Sequence, residues 1–478
     1  MFAGLFEVPS SKTFPNLDQV DRCRWCRPSA NLNQAPEMTG DNKISNRKRS
    51  ARRLFLKNLV SATTIAGVAP RLLMAEKEAS HPRVTREVFV KSPGKGTAVM
   101  AFGYYTRPKG LEMMSIEQRW SRSDTIDVAY YRYSKDNGRT WTDPEKRTTG
   151  EKRSGGMWRL HPRGGFVDSD TGRFLEIWNE GILPSDDPLE GMRQWNVYYT
   201  VSKDGKTKSA VQQIIHEGRE FNALHALPGV YTGKNAVMIG DNACRPMTYK
   251  DGSILLPVQV SPLGPDGRLA NPGGGYTYLD VDVLHGRWQG GRLVWRMSEV
   301  IKGDPSRSTR GMDEGTIEML GDGRLIMVMR GSNDKKYDLP SYRWVSYSSD
   351  GGWKWTQPEP WSYSDGEAFY SPSACSQLLR HSNGKLYWLG NVSKTNPRGN
   401  RPRYPFYAGE VDLQSGLLKR DTLVVVDDRQ PEDDELLTLS NFFSREDRET
   451  RQILVHMTRL FAFKDGWLGD AGLYRIAV

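Results

Sequence analysis

The chain has 478 residues, a formal net charge of +10, and 14 Trp, 20 Tyr and 47 Gly. That length sets no limit on core size and admits one large all-β repeat domain as readily as two or three average ones. The charge invites a nucleic-acid partner, but residues 1–75 hold twelve Lys/Arg against five Asp/Glu, a net of +7 that leaves about +3 for the rest; the excess belongs to a leader, no recognition motif accompanies it, and no nucleic acid is expected as a partner.

The leader comes first in chain order. Arg52-Arg53-Leu54-Phe55-Leu56-Lys57 matches the twin-arginine export signal, and an apolar stretch follows to Ala75. Gly67, Pro70 and Arg71 interrupt it well short of the roughly 20 apolar residues a membrane span needs. Residues 38–75 therefore read as a signal peptide starting at Met38 and cleaved after Ala75, and residues 1–37 as an extension upstream of the true start. A periplasmic or secreted protein without a membrane span in its mature form is expected. Cys23-Arg24-Trp25-Cys26 has zinc or redox spacing, but no second Cys/His pair follows, so it reads as incidental; Cys244 and Cys375 read as buried thiols rather than a disulfide.

Beyond residue 80 a Gly-centred turn running into an apolar strand recurs. It opens at Gly96, Gly172, Gly252, Gly323 and Gly384, spaced 76, 80, 71 and 61 residues apart, with a sixth copy lacking the glycine at Glu449–Val455. A second hairpin type falls after three of these turns. Ser134-Lys135-Asp136-Asn137-Gly138-Arg139-Thr140-Trp141 fits the Asp-box pattern Ser-x-Asp-x-Gly-x-Thr-Trp at every fixed position; Ser348 to Trp355 is a second copy and Ser202 to Thr207 a shortened one. In each, the Asp can accept backbone N–H groups of the turn and the Gly can take φ > 0. Each interval holds two successive hairpins, a four-stranded sheet that buries both faces only against similar sheets. Six such sheets set radially make an all-β, six-bladed β-propeller over residues 80–478, with the C-terminal strand Leu473–Val478 expected to close the ring beside the first blade.

In a propeller, chemistry gathers where inner strands from distant blades meet. Glu117-Gln118-Arg119-Trp120-Ser121-Arg122-Ser123-Asp124, followed by the Asp box, resembles the sialidase (neuraminidase) family, in which a Glu-Gln-Arg precedes an Asp by this interval. The resemblance implies that Asp124 is the acid/base residue and Arg119 an active-site arginine. It further implies three arginines that hold a sugar carboxylate, each through two parallel hydrogen bonds. Arg86 falls at the place of the first, counting back from Ala101-Phe102. Arg330 ends the segment beginning at Glu314, which resembles the family's link from active-site glutamate to second arginine. Arg403 is the choice for the third, with Arg401 a close rival.

One position departs. The family's nucleophilic tyrosine stands just before a Ser-Asp-Leu, and the best local match, Thr438-Leu439-Ser440-Asn441-Phe442, puts Leu439 there. Either Tyr370, Tyr404 or Tyr407 substitutes, or the reaction is not ordinary retaining sialidase chemistry. Asp124 and Glu314 could supply the two carboxylates of an inverting route if they lie roughly 6.5–9.5 Å apart. The expectation is an exported, monomeric exo-glycosidase that removes a terminal acidic sugar from glycans and uses no cofactor. The alternative is an altered propeller that binds or hydrolyses another polysaccharide. The seven histidines are scattered, so no metal site is expected.

Overall fold

A computed structural model describes residues 84–187, 195–275, 277–464 and 466–478, all within one compact unit, Glu76–Val478. The leader, its proposed cleavage site, Cys23, Cys26 and His81 lie outside the described residues. The described chain is all-β: six small antiparallel sheets form the six blades of a propeller.

From the axis outward, blade one is Ala98–Tyr105, Met113–Trp120, Val128–Ser134 and Glu145–Thr148. Blade two is Gly156–Val167, Phe174–Leu183, Asn196–Ser202 and Gln212–Gln213, with Gly150–Arg153 hairpinned onto its first strand. In blade three the innermost layer is split into Val237–Met238 and Met247–Thr248, both paired with Ile254–Val260, and Asp280–Gln289 and Arg292–Met297 follow. Blade four is Asp313–Met319, Leu325–Arg330, Arg343–Ser348 and Glu359–Pro360, and blade five is Gln377–Arg380, Leu386–Asn391, Phe406–Val411 and Val424–Asp427. Blade six again splits its inner layer, Thr438–Leu439 and Phe443–Glu446, ahead of Ile453–Leu460 and Ala471–Ile476. Its outermost strand is Val84–Val90 from the other end of the chain, paired from Val84↔Ile476 to Val90↔Ala471.

Burial follows from sheet-on-sheet packing. The second strands of blades three and four, Ile254–Val260 and Leu325–Arg330, are buried at every residue, as apolar runs covered on both faces must be. The core is a set of seams between blades. Leu175 and Val197 of blade two meet Ile254 and Trp295 of blade three, and Leu389 and Phe406 of blade five meet Ile453 and Val455 of blade six.

The Asp boxes form the hairpins between third and fourth strands. Asp136 Oδ1 accepts from the backbone N–H of Thr140 at 2.9 Å and Oδ2 from its hydroxyl at 2.6 Å, while Ser134 Oγ accepts from the N–H of Gly138 at 2.9 Å. Asp350 likewise accepts from the N–H groups of Trp353 and Lys354, and Asp204 from those of Lys206 and Thr207. Gly138 sits at φ +80°, where a side chain would be strained and would press on Trp141. The indoles seal seams: Trp141 meets Phe89 of blade six edge-on with centroids 5.9 Å apart, and Trp353 stacks on His285 of blade three at 3.7 Å.

The turn count needs one correction. Gly172, Gly252, Gly323 and Gly384 each join first to second strand of their blades, but Gly96 joins the closing strand Val84–Val90 to the first strand of blade one. The equivalent turn of blade one lies between Tyr105 and Met113, and one strand passes to the end of the ring.

Candidate active site

Where the inner strands reach the axis, their ladders break. The register shifts between Pro162 and Gly164 in blade two and between Asp313 and Thr316 in blade four, and the inner layers of blades three and six are interrupted between Met238 and Met247 and between Leu439 and Phe443. A bulge leaves a residue unpaired and re-aims its side chain. The residues so released include Arg163, Asp241, Glu314 and Asn441; Glu314 and Asn441 hold φ of +49° and +56°. A left-handed conformation at a glutamate costs energy and marks a position held by its surroundings.

Those surroundings are polar and buried. Glu314 Oε1 meets Arg330 Nη1 at 2.6 Å, its backbone N–H donates to Gln259 Oε1 at 3.1 Å, and its other carboxylate oxygen is buried without a hydrogen-bond partner. Arg330 ends the second strand of blade four, lies 3.4 Å from Asp313, and donates from Nε to Ser373 Oγ at 2.7 Å. Arg403 precedes the third strand of blade five and donates from Nε and Nη2 to the carbonyl of the same Ser373, at 3.2 and 2.7 Å. Arg343, fully buried, donates to the Ala374 carbonyl and to Ser371 Oγ.

Asp241 crosses the ring. Its Oδ2 accepts from Asn441 Nδ2 at 2.6 Å, which joins blade three to blade six on the opposite side of the axis, and Oδ1 accepts from the Asn242 N–H at 2.5 Å. The chain beside it admits only glycine: a Cβ on Gly240 would lie 2.6 Å from Glu314 Cγ and 2.8 Å from Gln259 Oε1. The stem of Glu314 thus rests on the backbone next to Asp241. Tyr104 of blade one donates to Asn242 Oδ1 at 3.3 Å, with the Arg245 guanidinium 5.1 Å from its ring centroid.

The charges set one another. Burial and the nearby negative charge of Glu314 push the Asp241 carboxyl up to about 6, against the opposing pull of Arg163 and two hydrogen bonds. Burial would raise Glu314 as well, but Arg330 beside it, with Arg403 and Arg343, holds it below its ordinary value. Burial brings Arg403 and Arg343 down to about 10, which leaves both charged at neutral pH, and burial raises the Tyr104 phenol. Five guanidiniums (Arg163, Arg310, Arg330, Arg343 and Arg403) interact with four carboxylates (Asp241, Asp313, Glu314 and Asp334). The positive excess suits an anionic ligand.

The structure brings Glu314, Arg330 and Arg403 together and places the other expected residues elsewhere. Arg86 lies on the closing strand at the periphery, 3.6 Å from Asp427 and half-exposed, because the strand that precedes Ala101-Phe102 pairs with blade six and not with blade one. Arg119, on the second strand of blade one, is held by Glu117 Oε1 at 2.9 Å and lies over the Tyr130 ring. Asp124, at φ +51°, is exposed on the loop joining second and third strands of blade one. By strand alternation that loop is at the same end of the propeller as the end of the Arg330 strand and the loop carrying Arg403.

Of the substitutes for the tyrosine, Tyr370 stacks on Tyr342 and Tyr404 donates to the Glu435 carbonyl, while Tyr407 sits on the third strand of blade five. Leu439 is fully buried in the blade five–six core. Cys244 and Cys375 are free, buried thiols. Among the described residues no group of three or more His, Cys, Asp or Glu stands where it could hold a metal ion, and no helix is long and apolar enough to cross a membrane.

Asp241, Asn441 and Arg163 went unread in the sequence, though a signal existed. Arg163 and Glu314 each stand nine residues before their blade's glycine turn, Gly172 and Gly323, and Asp241 eleven before Gly252. A count of about ten residues back from these three turns reaches the axis.

A family model described as a BNR repeat-like domain matches residues 186–441. Among curated proteins, none matches the sequence. Among solved structures, a protein of unknown function from Dyadobacter fermentans is 14% identical, covering 83% of this chain and 99% of its own, with a TM-score of 0.54. The NanB sialidase from Streptococcus pneumoniae is 11% identical over 82% of this chain and 70% of its own, with a TM-score of 0.53. A Trypanosoma rangeli sialidase is 15% identical over 83% of this chain, with a TM-score of 0.50, and the match spans 60% of that sialidase's length. At these identities the likeness is one of fold.

Proposed function

The chain belongs to the BNR repeat-like domain family, and on that footing we propose that it is a glycoside hydrolase that removes a terminal acidic sugar, a sialic acid or related ulosonic acid, from a glycan. The observation that carries this reading is the gathering of Arg330, Arg403 and Arg343 about Glu314 at the propeller axis. A planar guanidinium fork matches a sugar carboxylate and stays charged at any working pH. Arg330 and Arg403 share Ser373 as an anchor, so they are oriented before a ligand arrives. Asp124, on a loop at the same end of the molecule, is the proposed proton donor to the leaving oxygen.

The test is release of acidic sugar from a panel of sialosides and related ulosonic-acid glycosides, with neutral glycosides as controls. Arg403→Ala is expected to weaken binding of the free acidic sugar by about 2 kcal/mol, roughly thirtyfold, read by calorimetry. No turnover and no binding of any acidic sugar would sink the reading. The burial of Leu439 in the core favours a second one, a propeller that binds an acidic glycan without cleaving it; binding in calorimetry with no fluorogenic release separates the two. The leader 38–75 is proposed to export the protein through the twin-arginine route, and N-terminal sequencing of the protein isolated from its native cell tests cleavage after Ala75.

A further inference from the structure

The hydrolysis proposed above still needs a group to act on the anomeric carbon from the floor of the site, since Leu439 is core, Tyr370 stacks on Tyr342, Tyr404 bonds the Glu435 carbonyl and Tyr407 lies on the third strand of blade five. We propose that Asp241, held across the axis by Asn441 and set beside Glu314 through the close contact at Gly240, is the general base that activates water, making the enzyme an inverting glycosidase. This assignment rests on the reading of the site as a hydrolase of acidic glycosides.

Three features point to Asp241. It reaches the axis from blade three, and its hydrogen bond to blade six fixes its orientation. Glu314 is tied to Arg330 at 2.6 Å and so serves better as a fixed charge than as a proton acceptor. Tyr104, a phenol on which the Asp241 charge acts, is raised by burial and donates a hydrogen bond to Asn242 Oδ1. The charged and titratable groups acting on Asp241 are Glu314, Arg163, Tyr104, Cys244 and Cys375. Burial and Glu314 outweigh Arg163 in setting its carboxyl near 6, a suitable poise for a base working near neutrality.

The step balances without a co-reactant. Water forms the new bond to the anomeric carbon and gives a proton to the Asp241 carboxylate. The glycosidic C–O bond breaks, and the leaving oxygen keeps the electron pair and takes a proton from the Asp124 carboxyl. Exchange with solvent restores both groups, and the anomeric configuration is inverted.

The test uses the purified protein on a fluorogenic acidic glycoside. Proton NMR of the first product formed by the unmodified enzyme is expected to show inversion. Asp241→Asn is expected to lower kcat about a thousandfold while leaving melting and calorimetric binding of free N-acetylneuraminate within about threefold. The acidic limb of kcat/KM, rising with pH through about 6 in the unmodified enzyme, should disappear. Asn441→Gly, which keeps the positive φ and removes the hydrogen bond that favours the Asp241 anion, should move that limb to higher pH. Retention of configuration, or turnover in Asp241→Asn within threefold of the unmodified enzyme, overturns the assignment and leaves the proposed function standing. Absence of turnover by the unmodified enzyme removes both.

Discussion

At the scale of single residues, the telling position is Leu439, where the family resemblance led us to look for a phenol. It is fully buried, paired with Arg459 and packed in the seam between blades five and six. Leu439→Tyr is therefore expected to overpack that seam and lower stability by about 1–3 kcal/mol, with no gain in glycosidase activity; thermal melting and a fluorogenic assay check both halves. A rise in activity would mean that the seam opens to the site. Glu314 and Arg330 were legible in the sequence because one hairpin carries both, so their spacing survives in one readable run. Asp241 was not, because its partners stand in other blades: Asn441 is 200 residues away. A hydrogen bond across a ring leaves no local pattern.

At the scale of elements, the Asp boxes were the most legible feature because each is closed by bonds among near neighbours. The shortened copy at Ser202–Thr207 closes a turn of the same kind one residue tighter, with Gly205 N–H donating to Ser202 Oγ at 2.7 Å. Asp350→Ala removes the acceptor of two backbone N–H groups and should cost about 1 kcal/mol, as loss of a comparable cap does, visible as a lower denaturant midpoint. The pH dependence has a definite sign. The hydrogen bonds from Thr140 and Ser134 bring the Asp136 carboxyl down to about 2; its contribution is present above the ordinary carboxylate range and fades as pH falls toward 2. The Gly-turn strands were legible too, except at Gly96. A glycine before an apolar strand looks the same whether it joins strands within a blade or one blade to the next, and sheet pairing alone distinguishes the two.

At the scale of the whole molecule, six sheets bury their faces only by standing against one another, so the ring depends on its closure. Val84–Val90 supplies it, paired along the third strand of blade six and reinforced by Glu87 with Arg475 at 2.7 Å. A chain beginning at Lys91 should leave Ala471–Ile476 as an open edge. We expect it to melt lower by about 5 °C or more and to associate through that edge as its concentration rises, followed by calorimetry and light scattering. Unchanged melting would mean that closure contributes little.

The same pairing gives the ring an order of assembly. Blades one to five can form without Val84–Val90 finding a place, because its pairing partner is Ala471–Ile476 of blade six, so the ring locks only when that last sheet is in position.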